Sequence, residues 1–208
     1  MNHVYTKTAL LLGLALLPQL AYAHLVETRF GEFYSGLLHP LTTLIHVVAW
    51  LALGFLAGFQ TLKEARKILV LFPLAVVLGA IFANFFDARV GSAQANLDYV
   101  NLASIVILGT GVIWAKNLPS YVVLGIAVFF GLTHGMANAN ANLSANGQIL
   151  YLAGIMVAAY LLVCLASAGV VLLTQKHDWG KTAVRALGSW ILAVGIIFSG
   201  FSLLTLSV

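Results

Sequence analysis

The sequence predicts an all-α integral membrane protein with six transmembrane helices after a cleavable signal peptide. Hydrophobic residues make up 62% of the 208 residues and charged residues only 8%, which is far from the balance of a soluble domain. Six uncharged apolar runs are each long enough to cross a bilayer, which takes about 20 residues at a rise of ~1.5 Å per residue. Lys and Arg are concentrated in alternate connecting segments, as in multi-pass membrane proteins.

The N-terminal residues have the pattern of a secretory signal peptide. Lys7 precedes an apolar stretch of roughly fourteen residues, and Ala-Tyr-Ala at 21–23 supplies the small residues of a cleavage site. We therefore predict a signal peptide at 1–23 and a single six-helix transmembrane domain at 24–208. Cleavage would expose His24, whose free amine and imidazole can chelate a metal ion together. The alternative is that His24 is only the start of a flexible, solvated end.

The six predicted spans follow the apolar runs in order. Their approximate limits are 40–60, 68–86, 99–115, 119–137, 148–174 and 183–206. Alternate connecting segments hold seven positive charges against two in the others: Lys63, Arg66, Lys67, Lys116, Lys176, Lys181 and Arg185 against Arg29 and Arg89. Because Lys and Arg accumulate on the cytoplasmic side, we predict a topology with both mature termini outside.

Proline and glycine positions predict where helices begin and how they pack. Pro40 suits a first helical position, so the first span is expected to start there. Gly54-xxx-Gly58 in the first span and Gly131-xxx-Gly135 in the fourth are small-residue motifs that let helices approach closely. They suggest a pairing of spans one and four.

Ionisable side chains fall near one membrane face in this topology. His39 and His46 lie in the outer half of span one, His134 near the outer end of span four, and Asp98 at the start of span three. Ionisable groups are costly inside a bilayer, so each is a candidate functional residue. Imidazole nitrogen suits Ni, Co, Cu and Zn, whereas carboxylates alone favour harder ions.

The histidine spacing predicts two stations for an ion. On a continuous helix, His39 and His46 would share a face to within about 20° but differ in depth by about 10 Å. They would form successive stations if span four brings His134 alongside. Asn138 and Asn142 continue the stripe of His134 at four-residue spacing.

Ordinary structural explanations for these residues stay open. His39 suits an interfacial helix start, His46 an interhelical hydrogen bond without metal, and Asp98 a solvated loop end. The aromatic side chains expected to be lipid-facing or interfacial are Trp50, Trp114, Tyr121, Tyr160 and Trp190.

Composition and motifs exclude several classes of function. The loops are too short for a soluble catalytic domain, and the chain has neither a Ser/His/Asp arrangement nor an HExxH motif, so no enzymatic activity is expected. Topology signals account for the net charge of +4, so no nucleic-acid partner is expected. The single cysteine, Cys164, cannot form an intramolecular disulfide and is expected to be a small buried hydrophobe.

The stretch FGEFYSGLLHPLTTLIHVVAWLALG resembles the first membrane segment of the HupE/UreJ family. That family comprises hydrogenase and urease accessory membrane proteins regarded as nickel permeases, with a signal peptide and six spans. Its first motif is His-Pro-x-x-Gly-x-Asp-His. His39, Pro40 and His46 match this motif, whereas Thr43 and Ile45 replace the glycine and the aspartate.

Two later stretches carry the same resemblance. The family motif His-Gly-x-Ala-x-Gly-x-Glu is matched at His134, Gly135 and Ala137, but Ala139 and Ala141 replace the later glycine and the glutamate. NLASIVILGTG looks like the family's serine-containing third span, which would place Asp98 where the family often has a glutamate.

The resemblance implies an inner-membrane protein that admits a divalent transition metal, nickel or cobalt, from the outer side. His39, His134 and Asp98 are expected to capture the ion and His46 to receive it deeper, with Asn138 and His24 as further candidate ligands. The ion is the transported species, and no tightly bound cofactor is expected. Uptake is expected to weaken below about pH 6.5, where imidazoles take up protons.

An alternative function is a non-transporting accessory or assembly subunit that keeps the fold after losing the motif carboxylates. The expected partners are the lipid bilayer, the metal ion, and membrane or metalloenzyme-maturation proteins.

Overall fold

The structure, a computed structural model, describes residues 23–86 and 92–205, and the side chains of 31–86 and 96–202. Within these ranges the regular elements are α-helices: α1 (Ala23–Thr42), α2 (Leu44–Gly58), α3 (Leu62–Phe86), α4 (Ser92–Trp114), α5 (Ser120–Ala137), α6 (Ala145–Lys176) and α7 (Gly180–Thr205). By length and hydropathy α3 to α7 can each cross a membrane, and the bent pair Gly31–Thr42 and Leu44–Gly58 adds a sixth if it is counted as one span. The described part of the chain is therefore all-α, with five helices, or six counting the bent pair, suited to crossing a bilayer. The predicted signal peptide lies outside the described residues except for its last residue, and its cleavage stays a prediction.

The first span is bent, and it does not begin at Pro40 as predicted. Pro40 lies buried near the end of α1, where its missing N–H and its ring disfavour continuation of the helix. Thr43 is extended (φ −94°, ψ 109°) and donates its hydroxyl to the carbonyl of His39 at 2.9 Å. Beyond it, α2 runs at 79° to the segment Gly31–Thr42. The proline therefore marks the end of a helix that approaches the bundle from the side.

Glycines set the closest helix contacts, and they correct the suggested pairing of spans one and four. A Cβ at Gly54 or Gly58 would meet α6, whereas one at Gly131 or Gly135 would meet α3. The main pairings are accordingly α3 with α5, α4 with α7, and α1 and α2 with α6. Each glycine motif therefore forms a close helix contact, the first with α6 and the second with α3, and the two motifs do not pack on each other.

Hydrogen bonds join the connecting segments at one end of the bundle. Gln60 accepts from the Leu118 N–H at 2.8 Å, Ser120 donates to the Glu64 carboxylate at 2.9 Å, and Arg185 donates to the Ile113 carbonyl at 2.8 Å. We call this the basic end, because it holds Lys63, Arg66, Lys67, Lys116, Lys176, Lys181 and Arg185. Its cytoplasmic location stays a prediction.

The core surrounds α2, and one aromatic prediction fails there. Trp50 is 1% exposed and packs edge-to-face on Phe72, with ring centroids 5.6 Å apart. It is therefore a core residue and not an interfacial anchor. The other four aromatic side chains, Trp114, Tyr121, Tyr160 and Trp190, are exposed as expected. Cys164 is half-buried.

Candidate functional site

Two histidines from distant parts of the chain form a buried pair. His46 lies in the first turn of α2 and His134 in the last turn of α5, and their Nδ1 atoms are 2.7 Å apart. His46 is 5% exposed and His134 is not exposed. The pair lies at the end of the bundle opposite the basic end, because α2 ends and α5 begins at the basic end. Spans one and four therefore meet through their imidazoles.

The glycine after His134 allows α5 to come close enough to form this pair. A Cβ at Gly135 would overlap the backbone carbonyl of Val76 in α3, and one at Gly79 would overlap the carbonyl of Leu132. Two helices with small residues at their contact can approach backbone to backbone. The fit between α3 and α5 consequently fixes the depth and the rotation of His134.

Ser104 of α4 contacts both a backbone carbonyl and the ring of His134. Its hydroxyl donates to the Asn101 carbonyl at 2.6 Å, and its oxygen lies 2.9 Å from Nε2 of His134. We assign the hydroxyl hydrogen to the shorter of these two contacts, so that the oxygen accepts from Nε2–H. Nδ1 of His134 is then unprotonated, and it accepts from Nδ1–H of His46. A histidine held this way by a second group presents a lone pair suited to a metal ion.

Two buried amides flank His134. Asn138 donates to the His134 carbonyl at 2.7 Å, and Asn101 donates to the Thr133 carbonyl at 3.4 Å. Within the described ranges, the side-chain oxygens of both amides have no hydrogen-bond partner although both residues are buried. A buried oxygen without a partner costs free energy, and a cation or its bound water would satisfy it.

The ring of Trp50 closes the site on the side of the basic end. Its centroid lies 6.2 Å from that of His46 and 6.4 Å from that of His134. Beyond it towards the basic end lies an apolar layer of buried side chains: Leu53, Leu56, Ile68 and Phe72. The histidine pair is therefore separated from the basic end by packed hydrocarbon.

His39 lies on α1, on the other side of the helix break from His46. It is half-buried on α1, and its ring centroid is 6.5 Å from that of Tyr151. The Tyr151 hydroxyl donates to the Asn138 carbonyl at 3.1 Å. The two histidines are not on one straight helix, so the depth difference expected for His39 and His46 does not apply. A series of contacting side chains nevertheless connects His39, through Tyr151 and Asn138, to His134.

The other predicted ligands lie in different places. Asp98 is half-buried near the start of α4, and in the part of the chain with placed side chains no three His, Cys, Asp or Glu residues lie close enough to hold one metal ion. The side chain of His24 lies outside that part. Asn138 caps the end of α5, so Asn142 lies exposed in a loop and does not continue its stripe. The metal-binding role of each residue stays a prediction.

Three residues of the site were not identified from the sequence: Asn101, Ser104 and Trp50. Asn101 and Ser104 are two polar side chains three apart in an apolar run, so they share a helix face, and this signal could have found them. Trp50 follows His46 by one turn, but a tryptophan in a membrane helix more often indicates an interface.

Comparison with known proteins agrees with the motifs around the site. Residues 12–198 match the family model described as HupE / UreJ protein. The chain is also similar to Protein HupE of Rhizobium leguminosarum bv. viciae, with 29% identity over 167 residues that cover 74% of this chain and 84% of that protein. No solved structure matches. Since the family match extends over most of the chain, the protein belongs to the HupE/UreJ family.

Proposed function

We propose that the protein admits a divalent transition metal ion, nickel or cobalt, through the bacterial inner membrane from the outer side. The observation that carries this proposal is the buried pair of His46 and His134, whose Nδ1 atoms are 2.7 Å apart, with Ser104 next to Nε2 of His134. Membership of the HupE/UreJ family and the position of the pair opposite the basic end support it.

The chemistry of the pair suits a cation as cargo. One proton lies between two nitrogens 2.7 Å apart, and a metal ion would take its place. Metal–nitrogen bonds of about 2.0–2.1 Å put neighbouring ligand nitrogens about 3 Å apart, so the two rings need to separate by only a few tenths of an ångström. The amide oxygens of Asn101 on α4 and Asn138 at the end of α5 are additional hard donors beside His134. With no carboxylate required, the site favours a metal that accepts imidazole.

Uptake by the purified, reconstituted protein tests the proposal. Proteoliposomes are given Ni, Co, Cu or Zn ions, and the metal inside is measured for the unchanged protein, His46→Ala and His177→Ala. His177 is exposed at the basic end and serves as the matched control. We expect at least a tenfold slower uptake for His46→Ala and no change for His177→Ala. Equal uptake by a correctly inserted His46→Ala protein would contradict the proposal.

A second function is favoured by the apolar layer beyond Trp50. A packed layer with Trp50, Leu53 and Leu56 each 1% exposed offers an ion no polar path in this conformation. A non-transporting accessory or assembly subunit would keep such a layer permanently, with His46 and His134 as a structural hydrogen bond. A stable complex with a partner protein, without any metal-dependent shift in melting temperature, would favour this function over transport.

A further inference from the structure

A membrane-facing cavity opens between α2, α3 and α6, away from the histidine pair. Its volume is about 740 Å³, within the range of about 300–1,000 Å³ that is usual for small-molecule sites. Small residues are part of its wall, including Gly58 of α2, Ala65 of α3 and Ala168 of α6.

Most polar side chains of this cavity lie at one end. Gln60, Arg66, Thr174 and Gln175 line it beside the basic end, at the end of α6 and the start of α3. Deeper in the membrane the lining is mostly apolar, as far as Cys164 of α6. From Cys164 to Gln175 the helix rises about 16 Å, which is about half of the ~30 Å hydrocarbon thickness of a bilayer. The cavity therefore extends through the depth of one leaflet.

Arg66 gives the polar end a positive charge. It is exposed and forms no ion pair with any other residue that the structure describes. The nearby Glu64 carboxylate lies 4.0 Å from Lys67 and accepts from Ser120. Lys63 adds a second exposed positive charge one turn from Lys67. An anionic group at the cavity mouth would thus meet a guanidinium that is free to bind it, and guanidinium binds phosphate with two parallel hydrogen bonds.

We propose that this cavity binds one anionic phospholipid, with its phosphate on Arg66 and an acyl chain along the apolar wall between α3 and α6. A charged head beside a hydrocarbon tail matches a site that is cationic at the membrane surface and apolar through one leaflet. Basic pockets between transmembrane helices bind lipid head groups in this way. The proposal does not depend on metal transport.

Lipid titration of the purified protein in detergent tests this site. Native mass spectrometry measures binding of phosphatidylglycerol and of phosphatidylcholine with identical acyl chains. Binding of phosphatidylglycerol should be tighter, and Arg66→Gln should weaken it roughly fivefold, as expected for one basic side chain at an anionic lipid. Lys181→Gln, at the same basic end but outside the cavity, should leave it unchanged. Equal binding of both lipids, or equal effects of the two substitutions, would overturn the proposal.

Two further experiments distinguish a bound lipid from other possible occupants of the cavity. Ala168→Phe should fill the apolar wall and remove the preference for phosphatidylglycerol while leaving the melting temperature of the lipid-free protein within a few degrees. Glycerol 3-phosphate, which carries the phosphate without acyl chains, should not compete. Full competition by glycerol 3-phosphate would assign the site to a soluble phosphate, and loss of a dimer in Ala168→Phe without any lipid preference would assign it to a second copy of the chain. Either result would overturn the proposal.

Discussion

A single hydroxyl group sets the chemistry of the histidine pair. With the hydrogen of Ser104 assigned to the Asn101 carbonyl, its oxygen accepts from Nε2–H of His134. Without this acceptor, the proton of His134 could move to Nδ1, and His134 would no longer direct a lone pair towards His46. Ser104 is therefore a positioning residue that acts through His134.

We predict that Ser104→Ala weakens nickel binding roughly 10–100-fold, the usual cost of removing a group that orients a metal ligand. Equilibrium dialysis of the purified protein measures the dissociation constant. Thr110→Ala is the control, because Thr110 is exposed on the same helix and bonds only to the carbonyl of Val106. If the nickel affinity of Ser104→Ala lies within twofold of the Thr110→Ala value, Ser104 does not contribute to metal binding and the prediction is wrong.

Among the helices, the contact between α3 and α5 does most to position the site. Gly79 and Gly135 allow the two backbones to touch, and His134 directly precedes one of these glycines. The break between α1 and α2 has the complementary effect on the other side, because it lets His46 start a helix inside the bundle. Both features depend on small or helix-ending residues next to the histidines.

We predict that Gly135→Ala destabilises the protein by about 1–3 kcal/mol, since the added methyl group would overlap the Val76 carbonyl and force α3 and α5 apart. Gly125→Ala in the same helix is the matched control: its Cβ would meet nothing within 4 Å, so this change should be neutral or stabilising by at most about 1 kcal/mol. Reversible unfolding in mixed micelles measures both. Similar stability of the two variants would show that α3 and α5 leave room for a methyl group at Gly135, which would contradict the prediction.

The whole molecule is asymmetric along the membrane normal. Seven positive charges lie at the basic end, the histidine pair lies at the other, and an apolar layer separates them. Transport would require this layer to open, with Trp50 moving away from both imidazoles. A conformational change that alternately exposes the pair is therefore part of the proposed function.

We predict that the basic end is cytoplasmic. In a Cys164→Ala background, a membrane-impermeant maleimide applied to spheroplasts should label Asn142→Cys and leave Lys63→Cys unlabelled, because the two positions lie at opposite ends of the bundle. Disruption of the membrane should then allow labelling of both. If Lys63→Cys alone were labelled in intact spheroplasts, the basic end would face the outside and the prediction would be wrong.

Hydropathy predicted the helical architecture, but local sequence could not determine helix partners. Gly54 and Gly131 show that a helix can be approached closely, yet the sequence does not say by which neighbour. Pro40 is compatible with both a helix start and a helix end, and its packing in the folded chain decides between them. The meeting of His46 with His134 was expected only on condition that their spans are adjacent, whereas Trp50 was misplaced because its burial depends on α3.

The central claim, that His46 and His134 bind a divalent metal together, is tested most directly by X-ray absorption spectroscopy of the nickel-loaded protein. The account predicts the multiple-scattering signature of two imidazoles in the unchanged protein and of one imidazole in His46→Ala, with His177→Ala unaffected. A nickel spectrum without imidazole scattering, or one that is identical in the unchanged protein and in His46→Ala, would contradict it.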